Sequence, residues 1–285
     1  MTEPIVRSEP AAGEAEPSAD PATPPQLFAE LARCYRATVE HVDGPGVVVG
    51  ARDGLTFGAI GFDIPDLNRV MSMTSDEQPS NALIDEVLAL LVSYQGLSWW
   101  IPPGRGRGEL EARLGARGLA ASREESGAPA MWLPPEAEVR VPDLPDVTIE
   151  TVSTGDEAYE ATLVMAEGFG MDADLGRPMA EVFRLLGERP AGPARFHVAR
   201  LAGRPVATAM DTVEGHAATI YCVATIPEAR GRGIGGAVTA AAVVDARSRG
   251  ARVVSLETST MGRPVYRRLG FREGGELRIL VRRRD

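Results

Sequence analysis

A chain of 285 residues, 44% hydrophobic and 25% charged, has the composition of a soluble globular protein with room for two modest domains. Its formal net charge of −10 argues against an electrostatic fit to nucleic acid or to an anionic membrane surface. All thirty basic residues are arginine, which removes lysine as a nucleophile, and the two cysteines, Cys34 and Cys222, are too few and too far apart for a disulfide framework.

The three histidines, His41, His197 and His216, form no spaced metal motif, so no metal is expected. The N-terminus carries no apolar signal segment, and no run of 18 apolar residues is present. The expectation is a reduced, cytoplasmic protein, monomer or homodimer, without a nucleic-acid or membrane partner.

Residues 1–25 are rich in Pro, Ala and Glu, and too poor in apolar side chains to offset the entropy of ordering, so a disordered tail is expected. From Gln26 the spacing of Leu27, Leu31, Cys34 and Tyr35 predicts a helix. "GVVVGARDGLTFGAIGF" reads as two strands around an Asp53-Gly54 turn. "SNALIDEVLALLVSY" predicts an amphipathic helix, "LSWWIP" a buried strand with Trp99 and Trp100 on opposite sides, "GELEARLGARGL" a short helix, and "APAMWL" a strand. Four prolines between Pro134 and Asp146 mark a boundary, giving domains at 26–141 and 142–285.

The second domain restarts with the strand "VTIETV" and a helix, "DEAYEATLVMAEGFG", with another helix expected from Arg177. Three antiparallel strands follow, turning at Ala202-Gly203 and Glu214-Gly215. The glycine-rich "RGRGIGG" then leads into a helix ended by Gly250, a strand "RVVSLETS", a short helix "GRPVYRRLG", and a strand or hairpin from Phe271. The strand-loop-helix-strand step demands one parallel pair in an otherwise antiparallel sheet.

Glycines at that loop let backbone N–H groups converge, and the helix start adds free donors and a positive dipole end. Together they make an anion cradle suited to a pyrophosphate. It is not a Walker A loop, since Gly-Lys-Ser/Thr is absent, nor a dinucleotide fingerprint, since the preceding strands are antiparallel.

The Arg-x-x-Gly-x-Gly pattern of Arg230, Gly233 and Gly235, followed by "VYRRLGF" some 35 residues on, resembles the GNAT superfamily of N-acetyltransferases over residues 147–285. The resemblance implies an α+β fold with a mixed, mostly antiparallel sheet flanked by helices, and acetyl-CoA as co-substrate. It implies that Arg230, Gly231, Arg232, Gly233, Ile234, Gly235 and Gly236 hold the pyrophosphate. It further implies that Val223, Ala224 and Thr225 pair with the pantetheine arm, and that an N–H near Val223 polarises the thioester carbonyl. The family's leaving-group acid falls on Tyr266. An Asn that touches the cofactor in many members is here Ser259, and the strand before the loop has no carboxylate to serve as base. The amine proton then leaves to water, or through Glu257 or Asp211. Cys222 reads as a small apolar residue rather than an acyl carrier.

The first half repeats the order of the second, with Gly96 matching Gly250 and Gly118-Leu119 matching Gly270-Phe271. Leu114 then stands where Tyr266 does, and "MTSDEQPSN" replaces the glycine loop. The expected architecture is a degenerate GNAT-like domain followed by a catalytic one. The expected function is acetyl transfer to the primary amine of a small molecule by direct attack in a ternary complex; a noncatalytic acyl-CoA-binding module is the alternative.

Overall fold

The structure, a computed structural model, describes residues 24–42, 46–73, 77–121, 127–188 and 192–282. The expected tail lies outside these, apart from its last two residues, which open the first helix. In chain order the first elements are α1 (Pro24–Glu40), β1 (Val47–Arg52), β2 (Leu55–Ile60), β3 (Arg69–Ser72), α2 (Asn81–Leu90) and β4 (Ser98–Ile101). Then come α3 (Arg107–Gly115), β5 (Leu119–Ala121), β6 (Gly127–Leu133), β7 (Val147–Thr151), α4 (Gly155–Phe169) and α5 (Ala173–Gly187). The rest are β8 (Ala194–Leu201), β9 (Arg204–Glu214), β10 (Ala217–Thr225), α6 (Ile234–Ser248), β11 (Val253–Glu257), α7 (Arg263–Arg268) and β12 (Arg272–Arg282). No helix among the described residues is long and apolar enough to cross a membrane.

Two compact units result. The first gathers residues 24–40, 46–73, 77–121, 127–130 and 273–282, and the second residues 41–42, 131–188 and 192–272. The expected boundary at 141/142 differs at both ends: the chain changes unit within β6, and most of β12 counts with the first unit. The reason is pairing. Arg278–Val281 of β12 run antiparallel to Ser98–Ile101 of β4, and Leu280–Arg282 to Leu119–Ala121 of β5. Local sequence carries no mark of a partner so far away.

In the first unit, β1 and β2 form the expected hairpin, with Asp53 (φ 43°) and Gly54 (φ 78°) both left-handed as a tight two-residue turn requires. β3 pairs antiparallel with β2 and parallel with β4. Leu27, Phe28 and Leu31 of α1 are fully buried. Trp99 is enclosed in the core beside Leu83, Ile84 and Leu110, and Trp100 lies under the Arg69 guanidinium at 4.1 Å. The two indoles thus point to opposite faces, as alternation along a strand dictates.

In the second unit the sheet order is β7-β8-β9-β10-β11, antiparallel until the parallel pair β10/β11. Helix α6 buries Ile234, Ala237, Val238, Ala242, Val243 and Ala246 in the core formed with Val206, Ile220, Val254 and Leu256. Helix α4 starts at a reciprocal cap, Thr154 with Glu157, and stops at the left-handed Gly170. Helix α5 begins four residues before the expected Arg177. Pro178 sits in its second turn.

Candidate active site

The parallel ladder of β10 and β11 runs from Ala217↔Val253 to Ile220↔Leu256. Strand β10 continues to Thr225, five residues past that last rung, while β11 ends at Glu257. Val223, Ala224 and Thr225 therefore lie where the two strands have parted. On the other edge, β10 slips against β9 between Tyr221↔Met210 and Ala224↔Thr208, three residues spanning two. The extra residue makes a β-bulge, and Cys222 takes a left-handed φ of 54° there. A bulge re-aims the backbone that follows it, here Val223. Sequence reading missed it because no glycine flags the left-handed position.

Beyond Thr225, a 3-10 turn (Pro227–Ala229) leads to Gly231 (φ 77°) and Gly233 (φ 78°), two left-handed positions that favour glycine. Gly233 caps α6 with no side-chain hydrogen bond, and the first intrahelical bond of the helix runs from Ala237 N–H to Gly233 O. The N–H groups of Ile234, Gly235 and Gly236 belong to the uncapped first turn, aimed outward with the dipole's positive end. Glycine at 235 also allows close approach: a Cβ there would stand 3.0 Å from Thr225 Oγ1. Arg232 is exposed, with no ion pair among the described residues. Arg230 is engaged within the protein. Its backbone N–H donates to Pro227 O, its Nε to Thr225 O at 3.1 Å, and its Nη2 to Gly168 O at 2.7 Å.

Helix α7 packs on this end of α6, where a Cβ at Gly236 would meet Val265 Cγ1 at 3.4 Å. Its Tyr266 is 8% exposed and packs edge-on against Phe271, ring centroids 5.9 Å apart. The hydroxyl makes no hydrogen bond to any described residue, and burial pushes the phenol up to about 12. The group is thus a neutral donor at any working pH. Ser259 is occupied locally: its Oγ accepts from Gly262 N–H at 3.2 Å in the turn that opens α7.

Asp211, one of the candidate bases, is fully buried and spoken for. Its Oδ1 lies 2.7 Å from His197 Nε2, and Arg249 forms an ion pair with its other oxygen. Arg249 Nε and Arg195 Nη1 each reach Asp245 at 3.0 Å, and Thr151 Oγ1 lies 3.3 Å from His197 Nδ1. A carboxylate only accepts, so Nε2 carries the imidazole proton and Nδ1 accepts from Thr151. The two aspartates and two arginines balance; a protonated His197 would add an uncompensated buried charge. Burial accordingly draws its pKa down to about 4, with Arg249 and Arg195 acting in the same direction against Asp245. His197, Asp211 and Asp245 present ligand atoms within 4.8 Å of one another, but the arginines already supply the positive charge a metal would bring. Glu257 stands one residue past the last parallel rung and is half-buried.

The first unit repeats this topology, α1-β1-β2-β3-α2-β4-α3 against α5-β8-β9-β10-α6-β11-α7, each with one parallel pair after two antiparallel ones. Two details differ from the second unit. Ser80 Oγ accepts from Leu83 N–H at 3.1 Å and so caps α2 from within the chain, and Leu114 of α3 is a buried core residue.

Residues 192–273 match the family model of the acetyltransferase (GNAT) domain. Among solved structures, a GCN5-related N-acetyltransferase from Kribbella flavida aligns with a TM-score of 0.65 at 20% identity, covering 90% of this chain and 96% of that one. A tandem GNAT protein from the clavulanic acid biosynthesis pathway aligns with a TM-score of 0.56 at 16% identity, covering 90% and 92%. A GCN5-related N-acetyltransferase-like protein from Streptococcus suis gives 0.55 at 15% identity, covering 90% and 99%. Comparison with curated protein sequences gave no match. At such identities the structural likeness speaks for the fold.

Proposed function

We propose, from the match of residues 192–273 to the family model of the acetyltransferase (GNAT) domain, that the second unit transfers an acetyl group from acetyl-CoA to the primary amine of a small molecule. The observation that carries this reading is the uncapped, glycine-lined start of α6 set beside the parting of β10 and β11. The cradle of Gly231–Gly236, with Arg232 at its rim, holds the pyrophosphate, as an open helix N-terminus does. The freed backbone of Val223–Thr225 pairs with the pantetheine amides. The N–H of Val223, turned by the bulge, donates to the thioester oxygen as negative charge develops there.

The neutral amine attacks the thioester carbon, the C–N bond forms, and the C–S bond breaks. Tyr266 gives its proton to the departing thiolate. With Asp211 locked in its buried network, the ammonium proton leaves to water or through Glu257 at the end of β11. The acceptor side is formed by the α4–α5 segment, Glu167 to Arg177.

A thiol-release assay with acetyl-CoA across amino acids, polyamines, aminoglycosides and simple amines tests the reading. Release that depends on one class supports it. CoA binding with no amine acetylated favours instead a noncatalytic acyl-CoA-binding module, a reading to which the lack of a carboxylate on β10 lends weight.

A further inference from the structure

We propose that Arg230 is a positioning residue that latches the glycine loop to the end of α4, rather than a cation that binds phosphate. Three of its donors are already committed: the backbone N–H to Pro227, Nε to Thr225 O, and Nη2 to Gly168 O, 62 residues upstream. Gly168 lies in the last turn of α4, where carbonyls lack intrahelical partners and the dipole is negative. An arginine there satisfies an orphan acceptor with a charge-assisted bond.

The other end of the bridge is the last residue of β10. The planar fork therefore spans two carbonyls on separate elements, which a lysine's single ammonium cannot do in the same geometry. The contact is close-packed as well as polar. A Cβ at Gly168 would meet Ala224 Cβ at 2.8 Å and Thr225 N at 3.2 Å, so α4 ends flush on the parted strand. The next residue, Phe169, ends α4 and is 54% exposed. The latch fixes this acceptor-side wall relative to the acyl-CoA strand. The inference deepens the proposed function and in that respect rests on it, although the bridge is a property of the fold.

Arg230→Lys and Arg230→Gln test the assignment, because lysine keeps the charge and loses the bridge. Gly170 N–H bonds to Glu167 O, and Met171 N–H to Ala166 O, at the latched helix end. Amide exchange at these two positions, measured without ligand, is expected to rise about tenfold or more in both variants, the loss of a hydrogen bond from a charged donor. Titration with CoA is expected to give affinities within about threefold of wild type in both, since the cradle's own N–H groups remain. In turnover with an amine found by the panel, the KM for that amine rises in Arg230→Lys while the KM for acetyl-CoA holds. Unchanged exchange in both variants overturns the latch. So does a CoA affinity lost in Arg230→Gln and kept in Arg230→Lys with exchange unaltered, the signature of a phosphate-binding charge. A wild-type protein that binds no CoA removes the proposed function, while the exchange measurement still decides the latch.

Discussion

Gly235, in the first turn of α6, faces Thr225 at the end of β10 so closely that a Cβ at 235 would stand 3.0 Å from the threonine hydroxyl. This approach brings the helix's free N–H groups beside the backbone freed by the parting of β10 and β11. Gly235→Val is expected to push the helix start off the strand and to weaken CoA binding by about tenfold or more, with a stability loss of about 1–3 kcal/mol from overpacking. Isothermal titration with CoA and urea unfolding separate the two effects. Unaltered CoA affinity would place the phosphate elsewhere.

Gly233→Asp puts a carboxylate at the mouth of the same cradle. Aspartate tolerates the left-handed φ of 78° better than most residues. The fold is therefore expected to survive, with a cost of about 1–2 kcal/mol. CoA affinity is expected to fall by about a hundredfold, because two like charges meet in one site. Circular dichroism and CoA titration on one sample check both halves of the expectation.

Tyr266→Phe removes a hydroxyl that bonds to no described residue, so stability is expected to change by less than about 1 kcal/mol. If the phenol protonates the thiolate, kcat falls about 10²- to 10⁴-fold with CoA affinity kept. The sign of the pKa shift adds a second expectation. A phenol pushed up to about 12 stays protonated throughout the accessible range, so the wild-type rate shows no basic limb from Tyr266 below about pH 11. A limb near pH 9 or 10 that disappears in the Phe variant would contradict this placement of the ring.

Much of this architecture was legible in the sequence, and the gaps have physical causes. The Asp53-Gly54 hairpin, the capped α4 and the glycine entry to α6 are all written in local chemistry, and each stands where the spacing predicts. Strand β3 has only four residues, Arg69–Ser72, all buried and without alternation, so no period marked it. The start of α5 was hidden by Pro178, whose usual place is a first turn. The fate of the charged residues was not legible at all. Asp211 reads as a free carboxylate until His197 and Arg249 are brought to it from β8 and the end of α6. The partners of Arg230, Thr225 O and Gly168 O from the end of α4, were hidden in the same way. Patterns in sequence locate backbone features well and partners of long side chains poorly, because the partners are set by tertiary packing.

The buried network predicts an acid dependence of stability. His197 has a folded-state pKa drawn down to about 4 from an ordinary 6.5. Above pH 6.5 it is neutral in both states and the stabilisation is fully present. Between 6.5 and 4 the unfolded chain binds a proton that the folded one refuses, so stability falls as the pH is lowered through that window. His197→Gln keeps a neutral side chain beside Thr151, Asp211, Asp245, Arg195 and Arg249. It is expected to be less stable at pH 7 yet to lose less on going to pH 4.5. Urea midpoints for both proteins at the two pH values give the comparison, and parallel declines would refute the shift.

Strand β12 bears on how the chain comes to be folded. Arg282 donates to the carbonyls of Leu91 and Tyr94, the former 191 residues earlier, and the strand it ends lies against β4 and β5. During synthesis the first unit emerges long before the strand that completes it. Until then β4 presents an unpaired edge, with Trp99 and Trp100 on it, while the second unit is made and folds. Order of birth and order of completion are thus inverted: the unit whose chain is made first receives its last strand only when the rest has been synthesised.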